Sequence, residues 1–547
     1  MGHLRLGPML RYVSADSATV WVETDEPGVV EILERRQRTF TVHGHHYALV
    51  VIEGLTPGST TEYEVRVNGT LCWPPLGSTF PASCIRTVAP DEPLEILFGS
   101  CRAALPHTPP FTSDPDTDRH GKGVDALHAV ALRLMTQDRS TWPHLLLFIG
   151  DQIYADDSSP QAADRIGHRL GPDQPPAQIV ANFEEYTWLY HESWTSEPER
   201  WLMSTIPSAM IFDDHDMIDD WNISISWVRD IRSKRWWSEH VIGGLVSYWI
   251  YQHLGNLSPA RIREEGLLDR LLECDDGTPV LWDWALESEE FTPLPGGYQF
   301  SFERHLGTVH LVVIDSRNGR ELEPHRRLMV GDAEWEWLRD RALETTEHLL
   351  LVSSLPVFLP GGVHCIQQWN EPIADGQFGR APARIAERIR RGLDLEGWPA
   401  FNRSFRAFER LLIDVATPTS DHASPPATIT VLGGDIHFAY IAEIALPPSC
   451  VSRVRQVVSS PIRHTLRARE ARVMRLASGR AGWRIGAWLM RIVGRRASAL
   501  SWHMTHGPVF HNNIGVFATR DEDASVIIEA AGLDADGHEQ LMVAFRS

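Results

Sequence analysis

Seven apolar runs, each closing on polar residues, constrain the fold of this chain more than any other feature of its sequence. Segments with helical periodicity, such as 124–135 and 383–393, lie between several of the runs. Continuous apolar strands that alternate with helices are typical of an α/β sheet whose functional site lies at the strand ends. The runs are LEILFGSC (94–101), HLLLFIGD (144–151), AMIFDDHD (209–216), LVVIDSRN (311–318), LLLVSSLP (349–356), ITVLGGDIH (429–437) and VRQVVSSP (454–461).

The first 90 residues follow a different pattern. Short segments rich in Val, Thr and aromatic residues alternate with Gly and Pro turns, which predicts an all-β domain over 1–90. The stretch LTPGSTTEYEVRVNG resembles fibronectin type III domains, in which a tyrosine, here Tyr63, hydrogen-bonds across a corner. After a linker near 87–93, the larger domain spans 91–547. Its last strands, IGVFATR and QLMVAF, are predicted to be joined by the acidic turn DEDAS.

Charge and cysteine content exclude some classes of protein. The 547 residues include 51 Lys and Arg against 72 Asp and Glu, a formal net charge of −21. This balance argues against general nucleic-acid binding, because phosphate backbones require a basic surface. Six cysteines without a CxxC pair indicate a reducing compartment. No charged and then apolar leader and no apolar run of ~20 residues occur, so we expect a cytoplasmic protein unless a leader was removed.

The polar residues at the strand ends are mostly acids. Carboxylates that converge on one sheet edge repel one another without cations, so multivalent metal ions are the simplest remedy. Two such ions can share a bridging carboxylate and activate a water, while a fixed histidine protonates the leaving group. The candidates are Cys101, Asp151, Tyr154, Asp156, Asp157, Asp213, Asp214, His215, Asp216, Asp315, Asp435 and His437.

Residue spacing narrows this set. Asp151 and Tyr154 lie three apart after a strand, about one helical turn, so both side chains can face the same ion. Asp435 and His437 lie two apart in an extended segment and leave it on the same face. The segment DDHD (213–216) places a candidate ligand next to a candidate acid.

Six motifs occur in order at the ends of successive strands: GSCR, GDQIYAD, DDHD followed by W-N, IDSR, SSLP and GGDIH. Together they resemble the PhoD-like alkaline phosphatase/phosphodiesterase family of the calcineurin-like metallophosphoesterase superfamily. The resemblance covers roughly residues 1–460. It implies an α/β fold class, a four-layered metallophosphoesterase β-sandwich flanked by helices, preceded by the fibronectin-like all-β domain.

The resemblance also implies an activity and a metal centre. The expected enzyme is a metal-dependent phosphomonoesterase, phosphodiesterase or both, acting through a metal-activated hydroxide. The expected cofactors are Fe³⁺ and Ca²⁺, with other divalent metals as alternatives. The residues that match the family's functional positions are Cys101, Asp151, Tyr154 and His437 for iron, Asp151, Asp214 and Asp435 for calcium, and His215 for protonation of the leaving oxygen.

Three further residues are candidates for substrate binding. Arg102 directly follows a predicted metal ligand and is placed to contact phosphate, whereas Arg317 is equally consistent with a structural ion pair. Asn222 is the third candidate. The other acids of the two acidic motifs are interpreted as supporting residues: Asp213 and Asp216 orient their neighbours, and Asp156 and Asp157 are solvated or cap a helix.

Residues 463–496 reverse the charge of the chain, with ten arginines against one glutamate. Three interpretations of this amphipathic segment, within 463–500, stay open: contact with an anionic membrane surface, a lid over the acidic site, and a packed helix whose arginines pair with the acidic body. On a helix, Arg484, Arg491 and Arg495 share one face, and Ile485, Leu489, Ile492 and Val493 lie on another.

The remaining expectations concern the pocket and the substrate. The Trp-rich region 217–300 predicts a helical insertion that shapes the pocket, with most of its tryptophans in the core. His503, His506 and His511 are expected in a loop. The substrate is a small-molecule or polymeric phosphate ester rather than a nucleic-acid scaffold, and the oligomeric state is open. Two alternatives remain: a phosphodiesterase acting on a polymer or phospholipid head group, and a non-catalytic surface-binding module with a structural metal site.

Overall fold

The N-terminal part of the chain consists of strands in the computed structural model, which describes residues 2–90, 92–170, 175–291, 298–420, 422, 424–495 and 498–547. All-β structure is therefore confirmed here. The strands are β1 (Leu4–Val13), β2 (Ser17–Thr24), β3 (Val29–Ile32), β4 (Arg35–Arg38), β5 (Phe40–Val42), β6 (His45–Glu53), β7 (Thr60–Glu62), β8 (Val65–Val67), β9 (Thr70–Trp73) and β10 (Cys84–Arg86). They pair antiparallel in the orders β1-β2-β6-β5, β4-β3-β8-β9 and β10-β7.

The rest of the described chain mixes strands with helices. The strands are β11 (Glu95–Gly99), β12 (Leu145–Ile149), β13 (Ser208–Ile211), β14 (Phe302–Leu306), β15 (Val309–Ile314), β16 (His348–Ser353), β17 (Thr428–Gly433), β18 (Ala439–Ala445), β19 (Arg453–Val458), β20 (Ser501–Val509), β21 (Asn513–Arg520), β22 (Asp523–Leu533) and β23 (Glu539–Arg546). All seven apolar runs form strands, as predicted.

The helices lie mainly between these strands. They are α1 (Ala126–Thr136), α2 (Pro160–Leu170), α3 (Phe183–Trp194), α4 (Glu197–Thr205), α5 (Ile225–Arg232), α6 (Trp237–Tyr248), α7 (Pro259–Glu265), α8 (Leu267–Leu272), α9 (Thr278–Phe291), α10 (Asp332–Ala342), α11 (Gly361–Ala374), α12 (Arg380–Gly392), α13 (Asn402–Ala416), α14 (Ala468–Ser478) and α15 (Arg480–Ile492). A π-helical turn, Trp249–His253, continues α6, and short 3₁₀ turns occupy Arg139–Thr141, Asp214–Asp216, Leu254–Asn256 and Trp398–Ala400. Among the described residues, none of the helices has both the length and the apolar character to cross a membrane.

Two large mixed sheets position the strand ends. One has the order β13-β12-β11-β21-β22-β23, and the other has the order β14-β15-β16-β17-β19-β18-β20. Strands β11, β12 and β13 run parallel, as do β15, β16, β17 and β19. Because parallel strands end at the same edge of a sheet, the polar ends of the seven runs collect at one edge of each sheet. The predicted α/β class is confirmed.

Two local predictions near the C-terminus are wrong. The segment DEDAS is not only a turn, since β22 begins within it at Asp523 and pairs with both β21 and β23. In the first six residues of β22, exposed or half-buried side chains alternate with buried ones, which is the period of a strand with one covered face. His503 and His506 lie in β20, which pairs with β18, rather than in a loop.

The region 217–300 contains helices α5 to α9, as predicted; its residues 292–297 lie outside the described part of the chain. Trp221 and Trp249 are buried in the core, and Trp227, Trp236 and Trp284 pack against it. These aromatic side chains therefore stabilise the fold. Asp91 of the linker and Arg496 of the basic segment also lie outside the described residues.

The N-terminal strands share one apolar core with the first large sheet. The prediction that Tyr63 closes a corner within its own domain is wrong, because its hydroxyl donates to the Ser204 carbonyl oxygen in α4 at 2.5 Å. The buried Glu23 carboxylate accepts hydrogen bonds from His45 at 2.9 Å and from His191 of α3 at 2.7 Å. Polar side chains at this interface are thus paired across it, which fixes the two parts in register.

Candidate active site

The candidate site lies where the polar ends of both sheets meet. Cys101 follows β11, Asp151 follows β12, and Asp213 follows β13 in the first sheet. Arg317 follows β15 and Asp435 follows β17 in the second sheet, and their side chains approach to 3.1 Å. The two groups are joined by an ion pair between Arg317 and Asp213. The structure thus brings together the motifs that the sequence places at separate strand ends.

Four of the predicted metal ligands adopt left-handed backbone conformations. The φ angles are 60° at Cys101, 48° at Asp151, 65° at Asp435 and 56° at His437. For residues other than glycine this conformation costs roughly 1–2 kcal/mol each. Such strain concentrates at functional sites, because it aims a side chain in a direction that a relaxed turn does not give. The sharp turn after each strand therefore sets the direction of these ligands.

A buried cluster of three carboxylates forms the centre of the site. Oxygen atoms of Asp151, Asp213 and Asp214 all lie within 4.8 Å of one another. Glycine is required beside the cluster, because Gly150 has φ +103° and a Cβ there would lie 2.5 Å from the Asp213 Cβ. Asp213 was predicted only to orient neighbours, whereas the structure adds it to the candidate ligands. Asp216 does orient neighbours, since it accepts hydrogen bonds from the backbone N–H groups of Gln152 and Asp213.

The Asp151 carboxylate fits a cation site. Both of its oxygens are buried and have no hydrogen-bond partner. Burial, reinforced by the neighbouring Asp213, raises the pKa of the Asp151 carboxyl well above its ordinary value. Buried polar atoms are normally satisfied, and a buried carboxylate is costly without a counter-charge. A bound cation supplies what this group lacks, so the residues present fit the predicted metal site.

Cys101, Tyr154 and His437 offer a thiol, a phenol and an imidazole as further candidate ligands after the same strand ends. Burial and the nearby Asp151 raise the pKa of the Cys101 thiol, and the buried Tyr154 hydroxyl has no hydrogen-bond partner. Burial and the neighbouring His464 hold the pKa of His437 well below its ordinary value, which keeps its imidazole neutral. Neutral imidazole is the form that binds metals, and thiol and phenol become ligands on losing a proton. Metal binding by these residues stays a prediction.

His215 lies beside this cluster, and one of its ring nitrogens, Nδ1, is hydrogen-bonded to a carboxylate. Its Nδ1 donates to Asp156 Oδ1 at 2.8 Å, and its side chain is 23% exposed, toward the site cavity. Burial lowers the pKa of His215, but the carboxylates of Asp156, Asp214 and Asp151 raise it by more, so it lies well above its ordinary value. The interpretation of Asp156 as a solvated or capping residue is wrong, because it also accepts a hydrogen bond from the Asp219 backbone N–H at 2.5 Å.

Arg317 forms the structural ion pair that was one of its two interpretations. The side chain is completely buried, and Nη2 lies 3.0 Å from Asp214 Oδ1 and 3.1 Å from Asp435 Oδ1. Its other nitrogens reach Asp213 and Glu396. Because all three nitrogens contact carboxylates, Arg317 is occupied by the protein rather than open to phosphate.

Arg102 is also occupied. Its Nε contacts Asp125 at 2.9 Å, its Nη1 contacts the Ser193 carbonyl at 2.7 Å, and its Nη2 contacts Glu199 at 2.9 Å. The residue is almost completely buried, and its nitrogens contact Ser193 on α3, Glu199 on α4 and Asp125 before α1. All three nitrogens are therefore occupied by protein groups, and the predicted phosphate contact stays a prediction without support in these contacts.

Asn222, the third substrate candidate, lies next to Arg317, and Lys122 and His464, which were not predicted as site residues, lie next to Tyr154. The Asn222 amide is buried and donates to the Arg317 carbonyl oxygen at 3.3 Å. Lys122 Nζ lies 2.6 Å from His464 Nε2, and the His464 ring stacks on Tyr154 at 5.1 Å. Lys122 also lines a cavity of about 350 Å³ beside Tyr154. The available signal was that Lys122 is one of only two lysines in the chain.

A cavity of about 490 Å³ opens onto His215, Asp214 and Asp435. Helix α14 forms one wall of this cavity through residues that include Arg469 and Val473. The region 217–300 was predicted to shape the pocket, but within the described residues its only contribution to this cavity is Asp219. The basic segment, rather than the Trp-rich region, therefore borders the site.

Comparisons with known proteins agree with this arrangement. Residues 122–240, which carry Asp151, Tyr154, Asp214 and His215, match the family model described as PhoD-like phosphatase. Residues 1–85 match a domain of unknown function, DUF7800. A solved structure titled "Structure of PhoD" aligns with a TM-score of 0.60 at 11% identity, covering 99% of this chain and 88% of that chain. At that identity the match establishes the fold. No curated protein matches the chain.

The match to the PhoD-like phosphatase model gives the class of protein: a phosphoesterase hydrolase. The predicted resemblance to the PhoD-like family is confirmed over residues 122–240, and the fold of the chain is similar to that of PhoD.

Proposed function

We propose that this chain is a metal-dependent phosphomonoesterase, phosphodiesterase or both, acting at the carboxylate cluster. The observation that carries the proposal is the buried Asp151 carboxylate, whose two oxygens lack partners beside Asp213 and Asp214. Bound ions would lower the pKa of an attacking water and stabilise charge on the phosphoryl oxygens. The residues that would hold them are Cys101, Asp151, Tyr154 and His437 for Fe³⁺, and Asp151, Asp214 and Asp435 for Ca²⁺, with Asp213 as an added candidate.

The chain's own residues supply proton transfer and orientation. His215, with its pKa raised, carries a proton, and Asp156 holds Nδ1 so that Nε2 faces the cavity. Proton donation from Nε2 to the departing oxygen is general-acid catalysis, worth typically 10²–10⁴-fold. Ser354 Oγ donates to Asp213 Oδ1 at 3.0 Å, so that the other oxygen is left for a ligand. These contacts place the groups before substrate arrives.

We also propose the four-layered arrangement for the larger domain and a fibronectin-like arrangement for the first. Apolar residues of both large sheets, such as Phe98 and Val352, belong to one core cluster, which supports sheet packing on sheet. A second cluster joins the seven-stranded sheet, through Leu351, to Phe405 and Leu412 of α13. Helices covering an outer sheet face are what a layered sandwich requires.

The test compares wild-type protein with Asp151→Asn and with a matched control, Asp283→Asn, an exposed carboxylate on α9. Turnover of an aryl phosphate and of a bis-aryl phosphodiester would be measured together with metal content. We expect Asp151→Asn to lose metal and at least about 10³-fold in turnover, because a ligand to a catalytic ion is removed. We expect the control to behave as wild type.

The ratio of the two substrates separates monoesterase from diesterase activity. Unchanged turnover in Asp151→Asn would contradict the proposed site. Absence of hydrolysis with every metal supplied would favour the alternative of a non-catalytic module with a structural metal site.

Elemental analysis with visible absorption tests the choice of metals. Phenolate or thiolate bound to iron(III) gives a coloured charge-transfer band, which Tyr154→Phe and Cys101→Ser would change. A colourless, iron-free and fully active protein would remove Cys101 and Tyr154 from the ligand set while leaving the hydrolase assignment in place.

A further inference from the structure

Helices α14 and α15, residues 467–495, form a basic hairpin that is packed on one side only. The two helices are separated by Gly479, and α15 lies against α11. The approach is close, since a Cβ at Gly486 would lie 2.5 Å from the Cys365 Cβ of α11. Small residues on the inner face thus seat the hairpin firmly on the domain and direct its other face outward.

The outer face is apolar to an unusual degree. Six large apolar side chains are each more than half exposed: Val473, Leu476, Trp483, Ile485, Trp488 and Ile492. Ile485, Trp488 and Ile492 follow the i, i+3, i+7 spacing that forms a stripe along one side of α15. Large exposed apolar patches on soluble domains mark interaction sites, and tryptophan is favoured at boundaries between water and apolar phases.

Arginines run beside this stripe. Arg480, Arg484 and Arg491 share one side of α15, are exposed, and form no ion pair with any described residue. Ion pairs with the acidic body, which the packed-helix interpretation predicts, occur for Arg463 with Asp125 and for Arg495 with Glu371, but not for these three arginines. The hairpin carries eight arginines against one glutamate in a chain of net charge −21. Its positive charge faces solvent rather than the acidic body.

We propose that the basic hairpin binds the surface of an anionic lipid bilayer. An amphipathic helix with tryptophan and isoleucine on one stripe and arginine beside it lies in the plane of such an interface, its apolar stripe among the acyl chains and its cations at the phosphates. Charge complementarity selects this occupant over a second copy of the chain, because hairpin against hairpin would face arginine with arginine.

The same hairpin borders the candidate active site. Val473 is exposed on the hairpin and also lines the cavity that holds His215. If the proposed function holds, docking places that cavity beside phosphoesters of the bilayer surface. The docking itself does not depend on hydrolysis and is measured separately.

Flotation of the full-length protein with vesicles tests the proposal. Vesicles of phosphatidylcholine alone are compared with vesicles containing about one-third phosphatidylglycerol at about 0.1 M salt. Two variants probe the two features of the surface: Trp488→Asp and the double change Arg484→Glu/Arg491→Glu. Matched controls are Leu76→Asp, a fully exposed apolar residue of the N-terminal domain, and Arg229→Glu, an exposed arginine of α5.

We expect wild type and both controls to float with the anionic vesicles only. Trp488→Asp should weaken binding at least about tenfold, because one buried aromatic contact is replaced by a charge. The double arginine variant should weaken it by at least about 25-fold, since each arginine at an anionic surface contributes roughly fivefold. Both variants should keep hydrolysis of a soluble aryl phosphate, because none of the three residues lines the site cavity.

Three results would overturn the proposal. The first is wild-type protein that does not float, and the second is equal flotation of wild type and the double arginine variant. The third is a dimer in sedimentation equilibrium that Trp488→Asp dissolves, which would assign the surface to a second copy. Should Trp488→Asp misfold, the exposed arginine pair carries the same test.

Discussion

The two sides of the candidate site treat buried negative charge in different ways. On the side of β12, Asp151 has two buried oxygens without partners, and the Tyr154 hydroxyl also lacks one. On the other side, at Arg317 after β15, the carboxylates of Asp435 (after β17) and Asp214 (after β13) contact the guanidinium at 3.1 and 3.0 Å. One side thus contains its own cation, whereas the Asp151 carboxylate has no cation in contact among the described residues.

This difference indicates how the site is assembled. Several carboxylates cannot be buried together without a counter-charge, since each costs several kcal/mol when desolvated alone. Arg317 supplies that charge during folding and fixes the carboxylates that an ion would share. Both oxygens of Asp151 are left without a partner. We therefore expect a bound metal ion to depend most strongly on this carboxylate.

The largest effect is expected at His215, where the two sides meet. Replacement by Gln keeps the size of the side chain but removes the proton donor, so turnover of an alkyl phosphate should fall about 10²–10⁴-fold. Turnover of a nitrophenyl phosphate should fall much less, because its leaving group needs no proton. Steady-state kinetics with both substrates checks this, and equal losses on both would contradict the role of His215 as the acid.

Arg317→Met should destabilise the protein by about 3–5 kcal/mol, because several buried carboxylates lose their cation. Added calcium should restore part of this loss by binding the folded state. The measurement is the urea unfolding midpoint with and without calcium. Arg102→Met is the matched control: it breaks the buried ion pairs with Asp125 and Glu199 at a distance from the cluster and should not respond to calcium. Equal rescue of both variants would show that the two sides do not differ as described.

Glu23 offers the same comparison outside the site, since its counter-charges are the histidines His45 and His191. Burial raises the pKa of Glu23, but the two histidines lower it by more, so that it falls from 4.5 for a free glutamate to about 2. A lowered pKa gives stability that is complete above the unfolded-state pKa and is lost as the pH falls from about 4.5 toward 2. The contribution, roughly 3 kcal/mol at neutral pH, should be absent in Glu23→Gln. The urea unfolding midpoints of wild type and Glu23→Gln are measured at about pH 7, 5 and 4. We expect the difference between the two proteins to shrink as the pH falls below about 4.5, and a difference that stays constant would contradict this assignment.

The smallest effect is expected at Asp156. Asp156→Asn keeps the contact with His215 but removes the negative charge that raises the pKa of its imidazole, so turnover of an alkyl phosphate should fall about 10–100-fold. Asp157→Asn is the matched control, because that neighbouring carboxylate is mostly exposed and does not contact His215. Kinetics of the two variants side by side decide the point, and identical behaviour would remove Asp156 from the positioning role.

The positions of the strands and of their polar ends could be predicted because both are local properties. An apolar run that closes on GSC, GD or GGD determines where Cys101, Asp151 and Asp435 leave the sheet. The contact of Asp156 with His215 could not be predicted, because 59 residues separate them and only the folded loops bring them together. Arg102 and Arg317 look alike in sequence, but in the structure Arg102 pairs with Asp125 and Glu199, whereas Arg317 pairs with acids that follow β13 and β17 and with Glu396.

The contacts between the N-terminal domain and the larger domain determine whether the first domain could be removed or exchanged. Its apolar core continues into the first large sheet, and Tyr63, Glu23 and Arg11 each form a hydrogen bond with a group of the larger domain. Removing or exchanging it would strip both parts of hydrogen-bond partners at once. We therefore expect the two parts to unfold as a single cooperative unit, so that the first 85 residues could not be exchanged without loss of stability in the rest of the chain.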